Sequence, residues 1–244
     1  MNVGRSTLIT IVAFAFGSIA LFASVNLSGE EHSSKAKEAA AQSAAAANVF
    51  DAIMKAPDKA IPEDLLRRAK AIAVFPQVIK AAFGVGGEGG RGVVSRRTAM
   101  GWDNPVFFRA GGASVGWQIG ASATDFVLLF MNDEAIHGLM KDKFELGADA
   151  AVAGGPVGRE AGAGTDALMQ AQILSYSRSR GLFAGISLKG VIVKPEDNLN
   201  QAIYGKTARE LLSDEKPSGI ASPGGLPAFP QAIDRYTQVP ETKP

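Results

Sequence analysis

Phe83-Gly84-Val85-Gly86-Gly87-Glu88-Gly89-Gly90-Arg91-Gly92-Val93-Val94-Ser95 is the stretch whose reading decides the fold. It satisfies G-x-G-x-x-G twice, at 84–89 and at 87–92. A dinucleotide site needs that turn to open a helix whose N-terminal amides hold the pyrophosphate. Here Gly92-Val93-Val94-Ser95 follows, which reads as strand. The glycines are therefore expected to bend or bulge a β-hairpin, and no nucleotide is expected. Gly205-Lys206-Thr207 resembles the end of a phosphate loop, but Asn200 stands where its first glycine should be.

Outward from this stretch the texture is of short β-like runs punctuated by glycine: 72–75, 83–88, 90–96, 106–113, 115–121 and 124–131. Phe144, Leu146, Ala148, Ala150 and Val152 alternate as one apolar strand face, and Ile186, Leu188 and Ile192 do so again. Helices are the minority. Asn132-Asp133-Glu134 can cap and charge the start of a short helix reaching about 141. Two more are expected at about 196–204 and 207–212. Ile61-Pro62-Glu63 starts another, with Leu65, Leu66 and Ala69 on one side and Arg67, Arg68 and Lys70 on the other. Val49, Phe50, Ile53 and Met54 give a short apolar helical face. The fold class is α+β: glycine-rich antiparallel sheets, barrel-like or two packed sheets, with flanking short α-helices.

The 244 residues suffice for one domain with tails. A net charge of +1 makes a bulk nucleic-acid coat unexpected, so any electrostatic partner must meet a local patch. With no Cys there is no disulfide framework, thiolate metal site or Cys nucleophile, and His32 and His137 are the two imidazoles. No cofactor or metal is expected. Residues 8–25 are an uncharged apolar run after Arg5, longer than a usual signal core and at the lower edge of a membrane span. The expected organisation is a signal peptide or membrane anchor at 1–28, an Ala-rich spacer at 29–47, the domain at 48–213 and a Pro/Gly-rich disordered tail at 214–244. The chain is expected to be exported.

Gly112-Ala113-Ser114-Val115-Gly116 fits a nucleophile elbow, followed by Asp125 and His137 in hydrolase order. The elbow requires a strand-to-helix turn, whereas Gly116-Trp117-Gln118-Ile119-Gly120 continues as strand. Asp125 reads as a turn residue and His137 as an exposed helix residue. Charge is unevenly placed: between 65 and 109, Arg67, Arg68, Lys70, Lys80, Arg91, Arg96, Arg97 and Arg109 face only Glu88 and Asp103, about +6. Residues 125–166 carry about −5, and Arg178, Arg180, Lys189, Lys194, Lys206 and Arg209 restore a positive run.

Ile61-Pro62, Ala71-Ile72-Ala73-Val74-Phe75-Pro76, Phe83-Gly84-Val85-Gly86-Gly87, Gly116-Trp117-Gln118-Ile119-Gly120, Thr124-Asp125-Phe126-Val127, Gly155-Pro156-Val157-Gly158-Arg159 and the block from Ser175-Tyr176 to Ala184-Gly185 occur in one order. Together they resemble the SYLF lipid-binding domain family over about 48–213, the 176–185 block most specifically. The resemblance implies a non-enzymatic membrane-binding module; some eukaryotic relatives also bind actin, and bacterial relatives are exported envelope proteins. The expected function is binding of anionic phospholipid at a bacterial envelope membrane, through a basic surface and an amphipathic helix, with the chain periplasmic or anchored to the inner membrane facing the periplasm. The expected lipid-binding residues, taken from charge and amphipathicity, are Arg67, Arg68, Lys70, Arg96, Arg97, Phe50, Ile53 and Met54. The alternatives are a serine hydrolase using Ser114 and an envelope scaffold that meets a protein.

Overall fold

The six β-like runs between 72 and 131 form two strands. A computed structural model describes residues 6–56, 60–158, 170–179, 182–213 and 226–238, with side chains from 30 onward except at 80–86 and 113–121. The side chains of 8–25, the Ser114 hydroxyl, Arg159, Arg180, Gly181 and the tail stretches 214–225 and 239–244 lie outside the described residues. Strand β1 (Ala71–Thr98) pairs antiparallel with β3 (Val106–Phe130), from Ala71 opposite Phe130 to Val94 opposite Val106. The short β2 (Gly101–Trp102) closes the hairpin. Pro76 and Gln77 of β1 stand against Asp125 alone, a bulge where proline's missing N–H does no harm. Gln77 takes the left-handed conformation there, φ 49, and donates its N–H to Asp125 Oδ1 at 2.9 Å. The register shifts again between Ala82 and Gly84.

A straight strand of 28 residues would run roughly 90 Å. Instead β1 curls until its ends meet, and Arg97 donates its N–H to the carbonyl of Lys70, just before the strand, at 2.8 Å. Glycine permits the closure. A Cβ on Gly92 would stand 2.3 Å from Phe75 Cδ1 and 2.5 Å from the Val74 carbonyl oxygen, and one on Gly90 2.8 Å from Val78 Cγ2. The glycine-rich stretch thus lies within a strand that bends, as the sequence predicts, but the bulges expected of it fall before Gly84, and Gly84 to Val94 pair in unbroken register.

Strands β4 (Phe144–Glu145), β5 (Val152–Gly154), β6 (Ile173–Ser179), β7 (Leu182–Gly185) and β8 (Ile192–Pro195) complete a curled mixed sheet of eight strands, a half-barrel. Its path is β2-β1-β3-β6-β5, with β7 on β6 and β8 bridging β3 and β4; β5 runs parallel to β6 and the other pairs are antiparallel. The helices among the described residues are α1 (Ser6–Met54), α2 (Glu63–Arg68), α3 (Asp133–Leu139), α4 (Asp197–Tyr204), α5 (Ala208–Leu212) and α6 (Ala228–Thr237). Asn132 caps α3, accepting from the Ala135 N–H at 2.9 Å, and Thr207 with Glu210 forms a capping box on α5. The fold is α+β, although α1 is long rather than short.

Strict alternation divides the core between the two faces of the sheet. Ile72, Val74, Val127 and Leu129 pack with α1, α2, α4 and α6, whereas Ala73, Phe75, Phe126 and Leu128 pack with α3 and α5. The Ala-rich stretch expected as a spacer is instead part of the core. Ala39, Ser43, Ala46, Phe50 and Ile53 recur at helical spacing and are buried. What covers them is α6, which lies inside the stretch expected to be a disordered tail. Ser43 Oγ accepts from the Phe229 N–H at 3.2 Å and donates to the Leu226 carbonyl at 2.7 Å, so a side chain of α1 caps the start of α6. Phe50 and Phe229 meet edge to face, centroids 6.3 Å apart. A second difference lies at 144–152. Phe144, Leu146, Ala150 and Val152 are buried, but the chain turns at Gly147, φ 86, and leaves Ala148 exposed between two short strands. Likewise β7 ends at Gly185 and β8 begins at Ile192, so Ile186 and Leu188 lie between strands.

Gly92→Ala is expected to lower the unfolding free energy by about 3 kcal/mol or more, because a backbone oxygen and a packed ring cannot both withdraw. Gly89→Ala meets nothing within 4 Å and should be neutral or slightly stabilising. Urea midpoints of the two variants measure the difference.

Candidate functional site

Cations divide by what they hold. Arg67, Arg68 and Lys70 are exposed at the end of α2. Arg67 is held by Glu63 at 3.1 Å and by Asp64, so its charge is answered within the helix. Arg68 and Lys70 have no ionic partner among the described residues. Arg97 lies behind them and belongs to the fold: Nε donates to the Ala69 carbonyl at 2.9 Å and Nη2 to the Leu66 carbonyl at 2.7 Å, satisfying carbonyls left open at the helix end. Its guanidinium covers the Trp102 ring, 4.3 Å from the centroid, and Trp102 Nε1 donates to Thr237 Oγ1 of α6 at 3.0 Å. Burial draws the Arg97 pKa below its usual value, against the charge of Asp234.

Arg96 points to the opposite face, buried, with Nη1 donating to the Leu212 carbonyl at 2.5 Å and Nη2 3.6 Å from Asp133. It ties α5 and α3 to the sheet. Phe50 and Ile53 are fully buried, and Met54 is packed against the same layer. The structure therefore brings Arg67, Arg68 and Lys70 together on the surface and places Arg96, Arg97, Phe50 and Ile53 in structural roles. In this packed state those four offer little to a lipid surface.

The same edge carries a residue that sequence reasoning missed. Met100, at the tip of the β1–β2 hairpin, is 98% exposed. The bonds from Arg97 to Leu66, Ala69 and Lys70 hold this tip beside the end of α2. Its signal was available only as a short gap, Ala99-Met100, between two strands.

The described backbone does not form the hydrolase elbow. Gly112 and Gly116 remain in β3, opposite Glu88 and Gly84, without the strand-to-helix turn an elbow needs. Asp125 lies within β3 rather than in the turn expected of it, where it accepts from the Gln77 N–H of the β1 bulge and lies 3.4 Å from Arg178, while His137 is exposed on α3. The 176–185 block packs. Tyr176 is buried and stacked on Phe183, centroids 5.4 Å apart, and its hydroxyl donates to the Pro156 carbonyl at 3.3 Å. A Cβ on Gly155 would overlap the Tyr176 ring at 2.0 Å. Burial pushes the Tyr176 hydroxyl far above the usual phenol pKa.

Arg97→Lys should lower stability by about 2 kcal/mol, since one ammonium cannot bond two carbonyls and cover an indole as a planar guanidinium does. Arg68→Glu should leave the urea midpoint within experimental error. Chemical denaturation of both variants separates structural from free cations.

Comparison with known proteins agrees with this domain. The model of the family Ysc84, described as Las17-binding protein actin regulator, matches residues 111–236, which takes in all but the last residue of α6. The chain is 36% identical over 162 residues to LAS seventeen-binding protein 3 of Saccharomyces cerevisiae, covering 64% of this chain and 35% of that one. It is 32% identical over 191 residues to the SH3 domain-containing YSC84-like protein 1 of Rattus norvegicus, covering 77% and 55%, and 32% identical over 186 residues to the protein of that name in Homo sapiens, covering 75% and 53%. These relatives are named as binding or SH3-containing proteins, and the chain spans between about a third and just over half of their lengths. The chain belongs to the Ysc84 (SYLF) family.

Proposed function

We propose that the protein is a non-catalytic module that binds anionic lipid at an envelope membrane through the edge formed by the end of α2 and the β1–β2 tip. The observation that carries this reading is the placement of Arg68 and Lys70, exposed and unpaired among the described residues, beside a fully projecting Met100. Cations near an anionic bilayer contribute about 1 kcal/mol each, and an apolar tip gains by entering the headgroup boundary. Rigid-body docking is all this mechanism asks. The tip is anchored by Arg97, so the cations and Met100 meet the surface together without rearranging the core. An exported location goes with this reading, supported by the uncharged apolar run at 8–25. Among the residues whose side chains are described, no helix is long and apolar enough to cross a membrane.

Flotation of protein beginning at Glu30 with phosphatidylcholine vesicles, with and without phosphatidylglycerol, tests the proposal. Arg68→Glu with Lys70→Glu should weaken binding to the anionic vesicles by roughly 3 to 4 kcal/mol, a few hundredfold, with the same melting temperature. Met100→Ser should weaken it by about tenfold. Undiminished flotation of the folded double variant overturns the assignment, and capture of a purified protein partner without any lipid binding favours the scaffold.

A further inference from the structure

Three neighbouring strands place cations in one rung. Arg91 of β1 stands opposite Arg109 of β3, and Arg109 opposite Lys194 of β8. Residues directly opposite on paired strands project from the same face, and like charges so placed destabilise a sheet. Two of the three are answered. Glu196, buried just after β8, has Oε1 2.6 Å from Arg109 Nη2 and 3.0 Å from Arg91 Nη2, and Glu38 of α1 also accepts from Arg91. Burial works against the Glu38 carboxylate, but the hydrogen bond and charge of Arg91 bring its pKa below the ordinary value, while the Glu196 hydrogen bond raises that of Arg109. Lys194 is exposed and has no partner among the described residues.

The rung borders a cleft of about 670 Å³ between β3, β8 and the start of α4, lined by Arg109, Gly111, Lys194, Glu196, Asp197 and Asn198 among others. The acids on this wall are committed to the protein. Asp197 accepts from the Ala208 N–H at 2.7 Å and lies 3.4 Å from Asn200 Nδ2. Glu196 Oε1 is shared by two guanidiniums, and its Oε2 is shut away from solvent with no hydrogen-bond partner. Arg109 spends one nitrogen on Glu196 and keeps further N–H donors in a planar fork; Lys194 adds a mobile ammonium across the strand pair. A fixed guanidinium fork beside a free ammonium matches the oxygens of a phosphate monoester, and the volume exceeds a bare phosphate.

We propose that this cleft binds a phosphate monoester, with Arg109 and Lys194 on its oxygens and Glu196 holding Arg109 in place. The site does not rest on the lipid-facing edge. It lies toward the Glu38 end of α1, and the helix from Glu38 to Met54 spans about 24 Å. Phosphate monoester chemistry is shared by small metabolites and by the headgroup of phosphatidic acid.

Calorimetric titration of the full chain in neutral detergent micelles tests it with two probes: glycerol 3-phosphate, and phosphatidic acid in mixed micelles. Saturable binding of glycerol 3-phosphate identifies a soluble ligand; binding of phosphatidic acid alone identifies a headgroup site. In either case Lys194→Glu should weaken binding by about tenfold or more, and the same charge change at the far end of α1, Lys55→Glu, should not. No saturable binding of either probe, or equal binding by the unaltered chain and Lys194→Glu, overturns the proposal. Because Lys194 is exposed and unpaired, loss of folding does not confound the comparison, and a melting temperature no lower than that of the unaltered chain confirms this.

Discussion

The hydrogen bond between the Arg97 N–H and the Lys70 carbonyl joins the two ends of a single 28-residue strand, and most of the architecture depends on it. Bringing the ends together packs the two limbs of the strand against each other, and that close approach leaves no room for Cβ at Gly92 or Gly90. Two consequences follow from one closure. Phe75 and Val78 from the first limb enter the same apolar layer as Val94, Phe108 and Ala110 from the returning limb. The hairpin tip with Met100 is also delivered to the end of α2, a helix that ends just before β1 begins. Glycine here fulfils a steric need rather than supplying flexibility.

Residues of one charge take different roles according to the sheet face and the depth they occupy. Arg96 and Arg97 are consecutive, so they project to opposite faces; one bonds the carbonyl end of α5 and the other that of α2. Arg91 and Arg109 are half-exposed and share a buried carboxylate. Arg68 and Lys70 are exposed and have no ionic partner among the described residues. A total of +6 over residues 65–109 therefore overstates the charge free for a partner, because much of it caps helices or answers Glu196.

Features set by local periodicity were legible in the sequence. The alternation of Ala71 to Phe75 and Phe126 to Phe130 assigns each side chain to its core layer, and Asn132 and Thr207 mark the starts of α3 and α5. Features set by long-range contact were not. The helix α6 is short and follows a Pro/Gly-rich stretch, and its start is capped by Ser43, 186 residues away from Phe229 in sequence. Local composition holds no trace of that bond. The burial of Phe50 and Ile53 has the same origin, since an apolar helical face reads alike whether α6 or a bilayer covers it. At the candidate site Arg67, Arg68 and Lys70 were legible as a charged helix face. The rung of Arg91, Arg109 and Lys194 was not, because each cation comes from a different strand and only pairing register brings them into line.

The residues that most specifically mark the family are packing residues. Tyr176 fills the space that Gly155 leaves open, Gly185 lies against the Gly155 backbone, and Ser175 Oγ bonds the carbonyls of Ala153 and Ile186. These contacts join β5, β6 and the segment after β7 at distances no larger side chain would permit. A motif of this kind reports the fold more strongly than the ligand, since Ser175, Tyr176 and Phe183 are buried, although Leu182 is 69% exposed. The family match spans 111–236, whereas α2 and the Met100 tip precede it. The edge proposed to face lipid is held by Arg97 and precedes the residues that the family model matches, and the proposed phosphate cleft takes Lys194 and Glu196 from within them and Arg109 from just before them. Arg68, Lys70 and Met100 are exposed and take no part in the contacts among Gly155, Tyr176 and Gly185, so substitutions there alter the proposed edge and leave that packing in place.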